Sequence, residues 1–265
     1  MRRLLTFGCA GAELAASLDG AGTRIGLLLV TGGSQTRIGS HRMYERLAKG
    51  LAELGYMCLR FDRRGVGDSG GDDPGFRGSG PDLAAAAAAF RRESPGLERI
   101  IGFGLCDGAT ALALFGAEAG LGGLILVNPW LVEAEAGEPP PAAIRHHYRQ
   151  RLLSLEGWKK ILSGAVDYRK LLEGLRRISA KQKASPLAQD TARALAAGRL
   201  RAWAILAEGD GTAIAAQQEL KAPAFKGLIE GVQKVASDSH TFARPGDDAD
   251  LLAATVRALE ALARS

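Results

Sequence analysis

The chain has 265 residues, of which 46% are hydrophobic and 24% are charged, and its formal net charge is +5. This length and apolar fraction fit one large domain, or a domain with an insertion, that has a sizeable core. No stretch approaches the roughly 20 uninterrupted apolar residues that a membrane span needs. The first apolar run, after Arg3, is too short for a secretory signal. We therefore expect a soluble cytoplasmic protein.

The cysteine content argues against a disulfide framework and against a metal site. The chain has three cysteines, Cys9, Cys58 and Cys106, and they are scattered along the sequence. An isolated cysteine is most often a small buried hydrophobic residue, which is the interpretation for Cys9 and Cys58. We predict no metal and no cofactor.

The predicted elements alternate between strands and helices, which is typical of a sheet covered by helices. Apolar runs predict strands at residues 4–9, 25–30, 56–61, 99–103 and 123–127, with a further element up to residue 17. Amphipathic or Ala-rich runs predict helices at 42–54, 83–92 and 109–115. After an interruption, strands return at 201–207 and at about 231–236, and an amphipathic helix is predicted at 248–264.

The interruption begins with a Glu-, Gly- and Pro-rich linker at 133–141 and continues with purely helical periodicity to about residue 200. We interpret it as a cap, so that residues 1–130 and 201–265 form the core and residues 131–200 form a helical insertion. Eleven Lys or Arg and only three acids lie between Arg145 and Lys183. This excess favours an anionic substrate or a solvated helical face. It comes with no nucleic-acid recognition motif, so we predict no nucleic-acid partner.

Two histidines lie in this basic segment. His146 and His147, next to Arg145, are either substrate contacts or solvated helix residues.

The most informative motif is Gly104-Leu105-Cys106-Asp107-Gly108. It lies between an apolar strand-like run and an Ala-rich helix, which is the context of the G-x-S-x-G nucleophile elbow. Glycines flank such a turn because the central residue is strained and its neighbours must lack bulk. We therefore predict that Cys106 is the nucleophile of an acyl-transfer enzyme.

A nucleophilic elbow needs a base and an acid, which follow it along the chain in that class of enzyme in the order acid, then histidine. His240 lies in the loop before the final helix, where the base is expected. Asp210 follows the first strand after the predicted cap and is the leading candidate for the acid. Glu208 and Asp238 are the alternative acids.

The oxyanion of an acyl-transfer reaction needs two N–H donors. The first is predicted to be the main-chain N–H of Asp107, because it directly follows the nucleophile. The second is predicted in the loop after residue 30, at Gly33 or Ser34, where two successive glycines allow close approach. The side-chain charge of Asp107 favours a helix N-terminus but opposes a nearby thiolate.

One further motif, Gly65 to Gly70, matches the G-x-G-x-x-G dinucleotide fingerprint. That fingerprint must open a helix directly, so that a pyrophosphate meets the helix N-terminus. A charged loop with Pro74 follows here instead. We therefore exclude nucleotide binding.

The motifs together carry a family resemblance. They are the loop Gly32-Gly33-Ser34-Gln35, the runs Gly39-Ser40-His41-Arg42, Arg64-Gly65-Val66-Gly67-Asp68-Ser69 and Val127-Asn128-Pro129-Trp130, the elbow, and Ser239-His240-Thr241-Phe242. They resemble the serine-aminopeptidase-like branch of the α/β-hydrolases and, within it, the exosortase A system-associated hydrolase 1 family found with exopolysaccharide gene clusters.

The resemblance implies an α/β-hydrolase fold, with a mostly parallel eight-stranded sheet flanked by helices and a helical cap insertion. It also implies a triad of Cys106, Asp210 and His240, and a cytoplasmic role near polysaccharide or envelope assembly. The leading hypothesis is a cysteine-dependent hydrolase acting on a small ester or thioester. The alternatives are acyl transfer to a sugar hydroxyl and a non-catalytic protein that holds a ligand in the same pocket.

Overall fold

Eight strands form one sheet in the computed structural model, which describes residues 2–22, 24–133 and 185–264. They are β1 (Arg2–Cys9), β2 (Ala12–Asp19), β3 (Ile25–Val30), β4 (Met57–Phe61), β5 (Arg99–Leu105), β6 (Gly123–Val127), β7 (Ala202–Ala207) and β8 (Ile229–Val235). Their spatial order is β1-β2-β4-β3-β5-β6-β7-β8. The β1–β2 and β2–β4 pairs are antiparallel, whereas the other neighbouring pairs are parallel. The prediction of a mostly parallel eight-stranded sheet is confirmed.

Helices cover both faces of this sheet. The α-helices of the described residues are α1 (Met43–Glu53), α2 (Gly80–Glu93), α3 (Asp107–Phe115), α4 (Pro186–Gly198), α5 (Gly211–Glu219) and α6 (Asp247–Ala263). Leu27 and Leu29 of β3 pack with α1 and α6, while Leu28 and Val30 pack in the cluster that contains α2, α3 and α4. Alternate residues of a strand face opposite sides, so β3 is buried on both faces and reads as an unbroken apolar run.

Several elements differ from the sequence predictions. Helix α2 begins at Gly80 rather than at residue 83, and β1 begins at Arg2 rather than at residue 4. Helix α5 was not predicted, because its small apolar residues form no single stripe. Strand β8 begins at Ile229, about two residues before its predicted start, and its side chains are mostly part-buried.

The predicted cap lies largely outside the described residues. The described part of the predicted insertion includes α4, whose Ala188, Ala192 and Leu195 are buried in the same cluster as Leu112 of α3. The extent of the cap stays a prediction.

The topology brings the three predicted catalytic residues to one edge of the sheet. Cys106 follows β5, Asp210 follows β7, and His240 lies in the loop after β8. Because these strands are parallel, their carboxyl ends meet at the same edge, where ligands bind in open α/β sheets.

Candidate active site

Cys106 occupies a sharp turn between β5 and α3. Its backbone has φ 60° and ψ −127°, a conformation that L-residues rarely adopt and that is found at functional sites. A Cβ on Gly104 would lie 2.7 Å from the Ala109 nitrogen, and one on Gly108 would lie 2.6 Å from the Val30 carbonyl oxygen. Both distances exclude a side chain, so the two flanking glycines are required by the close approach of backbone to backbone.

His240 and Asp210 are in direct contact. The Nδ1 atom of His240 lies 3.0 Å from Oδ2 of Asp210, which is 8% exposed. The same Asp210 oxygen accepts a hydrogen bond from the Ala213 main-chain N–H at 2.9 Å and so caps α5. The carboxylate is thereby held in one orientation, with the imidazole ring beside it.

The pKa of His240 is raised from 6.5 to about 10. The hydrogen bond to Asp210 is the largest cause, and interaction with Cys106 is the next, whereas burial lowers the pKa. His240 therefore interacts with both Asp210 and Cys106. The arrangement favours a proton on His240.

The two alternative acids have other partners. Glu208 lies 3.8 Å from Nζ of Lys234. Asp238 forms an ion pair with the Arg244 guanidinium through both carboxylate oxygens. Within the described parts of the chain, the carboxylate that contacts the His240 ring is that of Asp210.

The loop after β3 lies beside the elbow because β3 and β5 are neighbours, with Val30 paired to Gly104. The Gly33 main-chain N–H donates a hydrogen bond to Oδ1 of the Asp107 side chain at 2.6 Å. A Cβ on Gly32 would lie 2.4 Å from that same oxygen. The Asp107 side chain, whose role the sequence left open, is therefore a partner of the predicted oxyanion loop.

The other predicted donor residue, Ser34, is exposed on this loop, and its hydroxyl lies 3.4 Å from Oδ2 of Asp73. The Gly33 carbonyl oxygen accepts a hydrogen bond from Nη2 of Arg63. Arg63 is 1% exposed, and its Nε and Nη1 atoms have no hydrogen-bond partner among the described residues. Gly33 is thus held at its amide by a carboxylate and at its carbonyl by a guanidinium.

Sequence reasoning assigned no role to three residues that support this site. Asn128, directly after β6, contacts the His240 backbone, and His41 contacts Thr241. The buried Tyr44 hydroxyl donates to the Val30 carbonyl oxygen at 2.7 Å and accepts from the Leu105 N–H at 3.0 Å. A polar residue directly after a buried strand was the signal that could have identified Asn128.

The remaining site predictions concern the basic segment, metals and the membrane. Arg145, His146 and His147 lie outside the described residues. Within the described ranges, no group of three or more His, Cys, Asp or Glu side chains could hold a metal ion. In the same part of the chain, no helix has the length and apolar character that crossing a membrane requires.

The sequence matches one family model, described as serine aminopeptidase, S33, over residues 36–225, which is more than half of the chain. No curated protein matches the sequence significantly.

Solved structures share the fold over nearly the whole chain. An esterase from Pyrococcus furiosus superposes with a TM-score of 0.66 at 14% identity, covering 98% of this chain and 91% of that chain. A Xanthomonas campestris protein, described as an α/β serine hydrolase without lid, gives 0.62 at 17% identity over 98% and 94%. A thioesterase domain from the curacin biosynthetic pathway gives 0.58 at 13% identity over 97% and 99%. At these identities the likeness shows the fold, and the predicted α/β-hydrolase fold is confirmed.

Proposed function

The chain belongs to the serine aminopeptidase (S33) family of α/β-hydrolases, and from this premise we propose that it is a cysteine-dependent hydrolase of small esters or thioesters. Cys106 is the nucleophile, His240 the general base, and Asp210 the acid that orients the ring. One observation carries the proposal: the elbow cysteine interacts with a histidine whose Nδ1 lies 3.0 Å from a buried carboxylate.

The first half of the reaction follows from these positions. The proton that the site favours on His240 is the one it takes from the Cys106 thiol, and the sulfur then attacks the substrate carbonyl carbon, so that the carbonyl electron pair moves onto oxygen. The tetrahedral intermediate collapses to a thioester on Cys106. His240 gives its proton to the departing alcohol or thiol.

Water completes the cycle. His240 removes a proton from water, and the hydroxide formed attacks the acyl-enzyme carbonyl. The second intermediate releases the Cys106 sulfur beside the protonated His240 ring, which restores the starting pair, and the net products are an acid and an alcohol or thiol. Asp210 keeps the protonated nitrogen of the ring on its own side and stabilises the imidazolium, in agreement with the raised pKa of His240.

A thiol nucleophile supports an ester or thioester substrate rather than an amide. In a tetrahedral intermediate the group with the lower pKa leaves more readily, and a thiol has a reference pKa of about 8.5. A thioester therefore releases a leaving group as good as Cys106, an ester needs its alcohol protonated by His240, and an amide needs the most complete proton transfer because an amine is the poorest leaving group. For this reason we propose an acyl ester or thioester substrate although the family is described by its aminopeptidases.

Two features of the sequence support a narrower class of substrate. The eleven basic residues between Arg145 and Lys183 support an anionic substrate, such as an acyl carrier, a phosphorylated lipid or an acidic glycan. The resemblance to exosortase-associated hydrolases supports a link to exopolysaccharide synthesis.

A second candidate, non-catalytic ligand binding, is favoured by one observation. The Gly33 amide, a predicted oxyanion donor, is bonded to the Asp107 carboxylate. A pocket that holds a ligand needs no free oxyanion donor. Turnover separates this function from hydrolysis.

The test is hydrolysis of p-nitrophenyl acetate and of an acetyl thioester by the wild-type protein, Cys106→Ala, Cys106→Ser and Cys58→Ala. We expect Cys106→Ala to abolish turnover, and intact-mass analysis to detect an acetyl group on wild-type Cys106. Cys58→Ala is the matched control, because Cys58 is buried in the core. Acetylation of an added sugar would show transfer instead of hydrolysis. If turnover persists in Cys106→Ala, the proposed nucleophile is wrong, and no turnover in any protein favours the binding function.

Iodoacetamide provides a second readout that does not depend on the substrate. The pKa of Cys9 is raised to about 11 by burial and by the Asp82 carboxylate, and burial also raises the pKa of Cys58. Both thiols should stay unreactive in the folded protein. We expect alkylation of Cys106 alone, at a rate that falls in His240→Ala.

A further inference from the structure

The Gly33 amide lies where the oxyanion loop meets the elbow, and a negative group already occupies it. The contact with Oδ1 of Asp107 is 2.6 Å long. A hydrogen bond between an amide and a carboxylate is charge-assisted and stronger than one between neutral groups. An amide that donates to a carboxylate is not free to donate to a reacting carbonyl oxygen.

The surroundings of this contact are shaped to accommodate it. The Oδ1 atom of Asp107 lies 2.4 Å from the position that a Cβ of Gly32 would take, so a side chain at residue 32 would displace it. Gly33 has φ +56°, a left-handed backbone conformation that glycine adopts without strain. The Arg63 guanidinium, which is buried and bonded to the Gly33 carbonyl oxygen, places a positive charge at the same loop. That charge favours a carboxylate beside the loop.

The position of Asp107 in the chain gives the contact a chemical consequence. Its main-chain N–H is the predicted first oxyanion donor, and its side chain engages the predicted second donor. A substrate carbonyl oxygen that gains negative charge at the Gly33 amide in the transition state would therefore lie close to the Asp107 carboxylate. The two like charges would repel each other. Stabilisation by the oxyanion hole is greatest when donors are aimed at the developing charge and nothing else holds them.

We propose that the Asp107 side chain occupies the oxyanion hole of the resting enzyme, and that its release from the Gly33 amide limits the rate of acyl transfer. This inference rests on the proposed function, because it assigns Asp107 a part in the same reaction. Asp107 acts on the substrate oxygen by competing with it for the Gly33 N–H. No bond is made or broken at Asp107.

Two substitutions separate the charge of Asp107 from its occupation of the amide. Asp107→Asn removes the charge but keeps an oxygen that can accept from Gly33. Asp107→Ser removes the charge and has a side chain too short to reach Gly33. We expect kcat/KM for p-nitrophenyl acetate to rise by about tenfold or more in Asp107→Ser, since one oxyanion donor is worth on the order of a hundredfold in rate. Asp107→Asn should fall between Asp107→Ser and the wild type.

Alkylation of Cys106 by iodoacetamide is the control, because this reaction forms no oxyanion. Both substitutions remove the same charge beside the thiol, so both should alkylate at the same rate. A gain in ester turnover of Asp107→Ser over Asp107→Asn, at equal alkylation rates, then reports the freed amide. If alkylation is faster in Asp107→Ser than in Asp107→Asn by the same factor as ester turnover, the gain comes from the thiol, and the inference is overturned.

The remaining outcomes are distinct. Turnover that requires Cys106 but does not rise in Asp107→Ser overturns this inference and leaves the proposed function standing. Absence of turnover in all three proteins overturns the proposed function and this inference together. Assigned amide NMR spectra check folding and the contact at once: the Gly33 proton resonance should move upfield in Asp107→Ser, while resonances of the β1–β2 hairpin stay in place.

Discussion

The Asn128 side chain joins the main chain of His240 to the end of strand β7. Its Nδ2 donates to the His240 carbonyl oxygen at 2.9 Å, and its Oδ1 accepts from the Ala207 N–H at 2.9 Å. Asn128 is fully buried, has φ 40°, and follows β6 directly. Asparagine adopts this left-handed conformation more readily than most residues. One side chain therefore fixes the position of the predicted base relative to the strand that precedes the predicted acid.

The substitution Asn128→Asp tests this link. The new carboxylate would retain an acceptor for the Ala207 N–H but would place an oxygen against the His240 carbonyl oxygen. We expect the free energy of unfolding to fall by about 1–3 kcal/mol, the cost of a buried polar group without its partner. We also expect kcat/KM to fall with it, because the His240 loop loses an anchor. Urea denaturation and ester kinetics measure the two effects. If Asn128→Asp is destabilised but keeps wild-type kcat/KM, Asn128 does not position the base.

The identity of the acid is tested by three neutral, nearly isosteric replacements. Asp210→Asn should lower kcat by about a hundredfold or more, since the ring loses the group that orients it and stabilises its charge. Glu208→Gln and Asp238→Asn should leave kcat within about twofold, because those carboxylates pair with Lys234 and Arg244 at the surface. A large loss in either surface variant, with Asp210→Asn active, would reverse the assignment.

The raised pKa of His240 predicts how stability depends on pH. The folded protein holds the His240 proton up to a pKa of about 10, whereas the reference value is 6.5. A raised pKa stabilises the folded state fully below pH 6.5, and this stabilisation is lost as pH rises towards 10. Asp210→Asn removes the largest cause of the shift but keeps an oxygen to cap α5. The stability difference between the wild type and Asp210→Asn should therefore shrink between pH 6.5 and 10.

Urea denaturation of both proteins across this range checks the prediction. An NMR titration of His240 in the wild type and in Asp210→Asn gives the pKa directly. A stability difference that grows with pH, or a His240 pKa that is unchanged in Asp210→Asn, would contradict it.

The sequence predicted the parts of the fold in which one physical signal dominates. Strand β3 was predicted with its observed bounds because its residues are buried on both faces and form an apolar run. Helix α5 was missed because its Ala- and Gln-rich sequence forms no apolar stripe, and its N-cap, Asp210, was assigned as a catalytic acid. Catalytic candidates could be found from the sequence because elbow, acid and histidine follow a fixed chain order.

The Asp107 contact could not be found in that way. Gly33 and Asp107 are 74 positions apart, and they meet only because β3 and β5 are neighbours in the sheet. A side-chain rotamer at the elbow then selects the Gly33 amide as its partner. Sequence order constrains which elements adjoin, whereas a contact of this kind depends on atomic positions.

A last prediction concerns His41, which precedes α1 and touches the loop that carries His240. Its Nε2 lies 2.8 Å from the Thr241 carbonyl oxygen, and its Nδ1 lies 3.0 Å from Nη2 of Arg46. A carbonyl only accepts and an arginine only donates, so Nε2 carries the hydrogen and Nδ1 the lone pair. His41 also has φ 41°, in the left-handed region. The ring thus secures Thr241, the residue next to His240, from a strained backbone position.

His41→Ala and His41→Gly separate the ring from the strain. Both remove the donor to Thr241, so both should lower kcat/KM to a similar extent by loosening the His240 loop. Glycine adopts φ 41° freely, whereas alanine does not, so His41→Gly should be more stable than His41→Ala by about 1 kcal/mol. Thermal unfolding and ester kinetics measure the two quantities independently. Wild-type kcat/KM in His41→Gly would mean that the backbone turn, and not the ring, holds the loop in place.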